Sequence, residues 1–166
     1  MKNIKDITRI SIVAALYIVL TWINPYSYGE IQFRISEVLV LLCFFRKDYC
    51  YSLIIGCLIG NFFSVAGILD VVFGTLATAI SVVLIAKSKR LFIATIYPVI
   101  FNGIIVGALL YFTLGKPIPI YLMMTYVAIG EFGVVSVIGY LLFTVLRKNR
   151  LFLDVIEANQ NIADIS

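Results

Sequence analysis

The stretch NPYSYGEIQFRISE, Asn24 to Glu37, decides how this chain is read. It joins apolar runs in a chain that is 62% hydrophobic. Yet it carries Glu30, Gln32, Arg34 and Glu37, interleaved with Tyr26, Tyr28 and Phe33. Polar and ionisable groups are costly at the edge of a membrane bundle, and where they occur they tend to line a cavity or a pathway. The stretch is therefore expected to form the rim or lid of a binding site. Within it Ile31, Phe33 and Ile35 alternate with Gln32, Arg34 and Ser36, a period of two that favours extended backbone. Ser36 is then expected to cap the next helix, with Glu37 in its positive first turn.

Outward from this segment, the whole chain is oily. A mean hydropathy of +1.06 with 13% charged residues excludes the soluble class. A spanning helix needs roughly 20 mostly apolar residues. Apolar runs fall at about 7–23, 36–45, 49–65, 70–86, 91–114 and 118–146. The expected fold is all-α: one integral membrane domain over residues 1–166, a six-transmembrane-helix bundle. The second run is only about 15 Å long as an α-helix, half a bilayer, so its outer end has to continue through the polar stretch under cover of protein. The first run continues to Ile23 without a small-residue cleavage site and reads as a span rather than a signal peptide. The tail, Arg147 to Ser166, is polar and is expected to fray.

The basic residues orient the bundle. With the N-terminus in the cytoplasm, six spans return the C-terminus there too. Lys2, Lys5, Arg9, Arg46, Lys47, Lys87, Lys89, Arg90, Arg147, Lys148 and Arg150 then lie inside, and only Arg34 and Lys116 outside. That is the positive-inside pattern. It also accounts for the net charge of +4 without nucleic acid. Asp6, Asp48, Asp154, Glu157 and Asp164 fall on the cytoplasmic side. Glu30, Glu37, Asp70 and Glu131 fall toward the outer face or within the bundle.

Several chemistries are excluded. The chain has no histidine, which removes Ser-His catalysis and His-ligated metal. Cys43, Cys50 and Cys57 match no metal spacing and read as small buried hydrophobes. No catalytic residue, metal site or cofactor is expected. Gly115-Lys116-Pro117 lacks the first glycine and the Ser/Thr of a phosphate loop. No chain of charges threads the spans as in a proton relay, so uphill transport would draw its energy from a partner. A membrane enzyme acting on lipid substrates would need clustered Asp or His for metal and phosphate chemistry, and no such cluster is present.

The candidate binding residues each carry two readings. Glu131, in AIGEFG, sits more than ten residues into the last span. A lone carboxyl there must pair, protonate or meet a ligand, and Gly130 and Gly133 clear space beside it. Arg34 and Glu37 either pair with each other or face a ligand. Asp70 either caps the fourth span or joins the site. Asn61 and Asn102 either bond between helices or, with Glu131, supply donors and acceptors that read a heterocycle's edge. Trp22, Tyr26, Tyr28, Phe33, Phe62, Phe63, Phe73 and Tyr97 stack on a flat ligand or form an interfacial belt. Tyr28 and Phe33 are favoured for the ligand because they share the polar stretch. Ser11, Ala14 and Ala15 make a small-residue patch on the first span that lets another helix approach closely, within the chain or from a partner.

With these residues in hand, the chain resembles the substrate-binding (S) component of energy-coupling factor transporters, and within that group the family that imports queuosine precursors. The motifs carrying the resemblance are YGEIQFRISE at 28–37, NFFSVAGILDVVFGTLAT at 61–78, PVIFNG at 98–103 and IGE at 129–131. The resemblance implies six helices in a bacterial cell membrane and an outward-facing pocket. It implies docking, through the patch at Ser11, Ala14 and Ala15, onto a membrane coupling subunit that works with two cytoplasmic ATPases. The implied ligand is a 7-deazaguanine, such as 7-aminomethyl-7-deazaguanine, 7-cyano-7-deazaguanine or queuine; the alternative is another vitamin-like molecule. For such a ligand Glu131, or else Glu37, would accept from the guanine-like N1–H and amine. Asn102 would serve a carbonyl and a ring N–H, Gln32 and Arg34 would reach the O6 side, and Asp70 would meet a cationic aminomethyl group.

Overall fold

Apolar side chains and the need to satisfy every backbone amide within its own segment drive this chain into helix. The computed structural model describes residues 4–28, 32–64, 66–115 and 118–158, with Tyr28 described by its backbone alone. Among these residues there is no strand. The helices are α1 (Ile4–Ile23), α2 (Ile35–Phe45), α3 (Tyr49–Phe63), α4 (Ile68–Ile85), α5 (Leu91–Thr113), α6 (Ile120–Leu146) and the short α7 (Arg150–Val155). By length and apolarity α1, α4, α5 and α6 are each able to cross a membrane, whereas α2 and α3 are shorter. Glu30, Lys116, Val65 and the side chain of Tyr28 lie outside the described residues.

Local chemistry marks the helix ends. Gly67 and Gly115 take positive φ, of 59° and 76°, which costs a glycine little; they precede α4 and follow α5. Asn149 caps α7, its side chain accepting from the N–H groups of Leu151 and Phe152. Within the tail expected to fray, Arg150–Val155 is therefore helical.

The entry to α2 also departs from expectation. The helix begins at Ile35, so the capping position falls to Arg34, which has extended backbone and makes no side-chain cap bond. Ser36 lies inside the helix and bonds instead to Thr21 (2.7 Å). Thr21 also donates to the Tyr17 carbonyl (2.8 Å); with one hydroxyl proton to give, it accepts from Ser36. Ile35–Leu41 is a 3-10 helix, an uncommonly long run for that geometry, with about 2.0 Å of rise per residue. The tighter winding lets a short segment reach further than an α-helix of the same length.

Helix α2 is the centre of the molecule. It touches α1, α3, α4, α5 and α6, and Ser36, Glu37, Val38, Val40–Cys43 and Phe45 are buried. One apolar cluster surrounds its C-terminal half, built from residues such as Leu41, Phe45, Leu53, Ile85, Val135 and Phe143. A second, smaller cluster joins Ala77, Val106, Leu110, Met123 and Val127. Along α5 and α6 a polar layer lies between the two: Asn102 separates Ala94 from Val106, and Glu131 separates Val127 from Val134.

Candidate functional site

Three buried carboxyl groups on three helices mark the candidate site. Glu37 on α2, Asp70 on α4 and Glu131 on α6 are at most 2% exposed, a burial that ionisable groups reach only when paired or functional.

Asp70 lies in the first turn of α4, three residues past the capping position held by Gly67. It is not the cap. Its Oδ2 accepts from Arg34 Nη2 at 2.9 Å, both side chains being buried, and Arg34 Nε donates to the Ser27 carbonyl at 2.9 Å. The pair thus pins the polar stretch before α2 onto α4. Asn61, the first residue of the 3-10 turn that ends α3, donates to the Asp70 carbonyl at 3.1 Å. Gly74 makes room for this cluster: a Cβ there would lie 2.5 Å from Asp70 Oδ1 and 2.8 Å from Asn61 Nδ2.

Glu37 accepts from the Tyr17 hydroxyl of α1, and Thr78 of α4 approaches the same carboxylate. Glu131 Oε1 accepts from Asn102 Nδ2 of α5 at 2.9 Å. Glu131 lies within electrostatic range of both Glu37 and Arg34, so the carboxyls form one group. Asn102 opens a π-helical segment, Asn102–Val106, and Glu131 immediately precedes another, Phe132–Gly139. Such wide turns gather at functional positions because they redirect side chains within an otherwise regular helix. Pro98, one turn before Asn102, removes a further backbone donor from α5.

Several buried polar atoms around these carboxyls have no hydrogen-bond partner among the described residues: Glu131 Oε2, Asp70 Oδ1, Asn61 Oδ1, Thr75 Oγ1 and Gln32 Nε2. Buried polar groups are nearly always satisfied by protein, water or ligand, so these atoms are free to take up a further polar partner. Gln32 adds backbone strain, with φ of 44° in a residue that has a Cβ. That conformation costs of order 1–3 kcal/mol and collects at ligand clamps.

The structure sorts the sequence candidates. It brings Gln32, Arg34, Glu37, Asn61, Asp70, Asn102 and Glu131 into the interior. Arg34 bonds to Asp70, which sits 36 positions further along the chain. Phe33 is half-buried, 3.5 Å from where a Gly133 side chain would begin. Trp22 and Phe63 pack edge to face (4.6 Å) on the exterior, and Tyr26, Phe62 and Phe73 are exposed. The small-residue patch divides: Ala14 is buried against α3, its carbonyl 3.1 Å from a Cβ placed at Gly56, while Ser11 and Ala15 face outward. Sequence reasoning missed Tyr17, Thr75 and Thr78. Tyr17 lies in an apolar helix, where a tyrosine reads as a belt residue; Ala14, one turn before it on the buried face, was the available signal.

The family model described as QueT transporter matches residues 7–148. The chain belongs to the QueT transporter family. This QueT-family chain is 47% identical over 78 residues to the queuosine precursor transporter QueT of Lactococcus lactis subsp. cremoris (strain MG1363). That alignment covers 45% of the chain and 46% of the relative, so the chain spans about half the length of the curated relative it matches. No solved structure matches it.

Proposed function

We propose that this protein is the substrate-binding membrane subunit of an importer for queuosine precursors, and that the buried carboxyl group just described receives a 7-deazaguanine. The observation that carries the reading is the Asn102–Glu131 pair. Asn102 occupies one side of the carboxyl and leaves Glu131 Oε2 buried and unpartnered. A carboxylate so placed accepts from adjacent N–H donors, as the N1–H and exocyclic amine of a guanine-like edge provide. The charge balance supports the same class of ligand. Arg34 faces Glu37, Asp70 and Glu131, an acid-rich surrounding suited to a ligand rich in donors or bearing a cationic aminomethyl group. Asp70 holds Arg34 with one oxygen and keeps the other unpartnered.

In this reading six helices cross a bacterial cell membrane, with both termini cytoplasmic. The chain performs no chemistry itself. A membrane coupling subunit and two cytoplasmic ATPases of an energy-coupling factor module supply the energy, docking against the outward face of α1 at Ser11 and Ala15. The test is a thermal-shift screen of the purified chain, since a ligand that binds the folded state stabilises it by mass action. Selective stabilisation by a 7-deazaguanine supports the assignment. Stabilisation by a different vitamin-like molecule alone would replace the ligand and keep the architecture.

A further inference from the structure

The opposite end of the bundle holds a second feature. Where the α4–α5 turn meets the end of α6, a pocket of about 270 Å³ is lined by Lys89, Arg90 and Arg147 together with Phe44, Phe92 and Tyr140. We propose that this pocket seats the phosphodiester headgroup of an anionic membrane lipid. The inference rests on the membrane placement given above and is independent of the transported ligand.

Charge is the first argument. Arg9 and Arg46, at the same end, are neutralised by Asp6, Asp48 and Glu157. Lys89, Arg90 and Arg147 make no ion pair among the described residues. Arg147 Nε is shut off from solvent and has no hydrogen-bond partner there. Three cations around one cavity, with no ion-pair partner among the described residues, suit an anion.

Backbone geometry adds to it. Arg90 is extended and makes no side-chain cap bond at the start of α5. The first amides of a 23-residue helix therefore open beside the cations, and that terminus attracts negative charge. Ser88 braces the turn by donating to the Arg90 carbonyl at 3.1 Å.

The floor distinguishes a lipid from a free anion. Phe92 and Tyr140 pack edge to face at 5.6 Å. Phe92 itself and its neighbours Ile93 and Leu141 present exposed apolar surface, a path for acyl chains leading away from the headgroup. Basic pockets between membrane helices on the cytoplasmic side bind anionic headgroups in this manner.

The experiment is native mass spectrometry of the full chain carrying phosphatidylglycerol or phosphatidylcholine. Lys89→Gln, an exposed change, and Arg147→Gln are compared with Lys148→Gln and Arg150→Gln, which remove the same charge outside the pocket. Retention of phosphatidylglycerol over phosphatidylcholine, weakened about fivefold by each pocket change and little by the controls, is expected. Equal loss in pocket and control variants would reduce the effect to general charge and overturn the proposal. Inorganic phosphate stabilising the protein as well as the lipid would overturn the lipid assignment. Phosphatidylglycerol retention unchanged by both pocket variants would overturn it too, and leave an acidic partner surface as the reading of these cations.

Discussion

Asn102 Nδ2 and Glu131 Oε1 lie 2.9 Å apart between α5 and α6, and both residues stand where their helices change from α to π geometry. The pairing fixes the direction of the carboxyl. It leaves Oε2 without a partner among the described residues.

Glu131→Gln keeps the size of the side chain and an oxygen for Asn102 but removes the charge and one acceptor. Losing one partner of a buried charged hydrogen bond costs roughly 2–5 kcal/mol. Ligand affinity is expected to fall tens-fold or more in calorimetric titration, with the variant still folded. Glu37→Gln is the comparator; a larger loss there would transfer the recognition role to Glu37.

The Arg34–Asp70 pair is buried on both sides. Asp70→Asn removes the charge that Arg34 Nη2 bonds and is expected to cost roughly 3–5 kcal/mol, whereas replacing both residues by apolar ones of similar size should cost much less. Thermal midpoints of the apolar replacement at Arg34 alone, at Asp70 alone and at both measure the coupling. Additive losses would contradict it.

Two glycines mark separate constraints. A Cβ at Gly74 would meet Asp70 Oδ1 at 2.5 Å, and one at Gly107 would meet Met124 Cα at 2.6 Å. Each alanine substitution is expected to destabilise by roughly 1–3 kcal/mol through overpacking. Gly74→Ala should also weaken ligand binding, because it displaces the site's own carboxylate. Gly107→Ala strains the α5–α6 contact and should act mainly on the thermal midpoint.

Acid should release the C-terminal helix. Arg9 and Arg46 hold the Glu157 carboxyl down at about 2 against its ordinary 4.5. A depressed carboxyl stabilises the fold above its unfolded value and loses that contribution as pH falls through its folded one. Protection of the Arg150–Val155 amides, taken relative to their intrinsic exchange rate at each pH, is therefore expected to fall between about pH 4.5 and 2. Glu157→Gln should show the reduced protection already at neutral pH. Protection unchanged across that window would contradict the clasp.

Much of this was legible in the sequence, for physical reasons. Lipid-facing helices advertise themselves through apolar length, and a carboxyl inside such a run stands out, as Glu131 and Glu37 did. Partnerships were harder to read. Arg34 sits three residues from Glu37 yet bonds to Asp70, because the 3-10 start of α2 and the position of α4 set the geometry. Ser36 carried a capping signal that its tertiary bond to Thr21 overrode. Ala14 and Ala15 are neighbours in sequence, but a helix turns about 100° per residue, so one packs on α3 while the other faces outward. The widened turns at Asn102 and Glu131 have no composition signature.

The most direct measurement is calorimetric titration of the purified chain with 7-aminomethyl-7-deazaguanine, 7-cyano-7-deazaguanine, queuine and guanine. Tight binding of a 7-deazaguanine, with guanine much weaker, is the predicted result. A folded protein that binds none of the 7-deazaguanines would contradict the account.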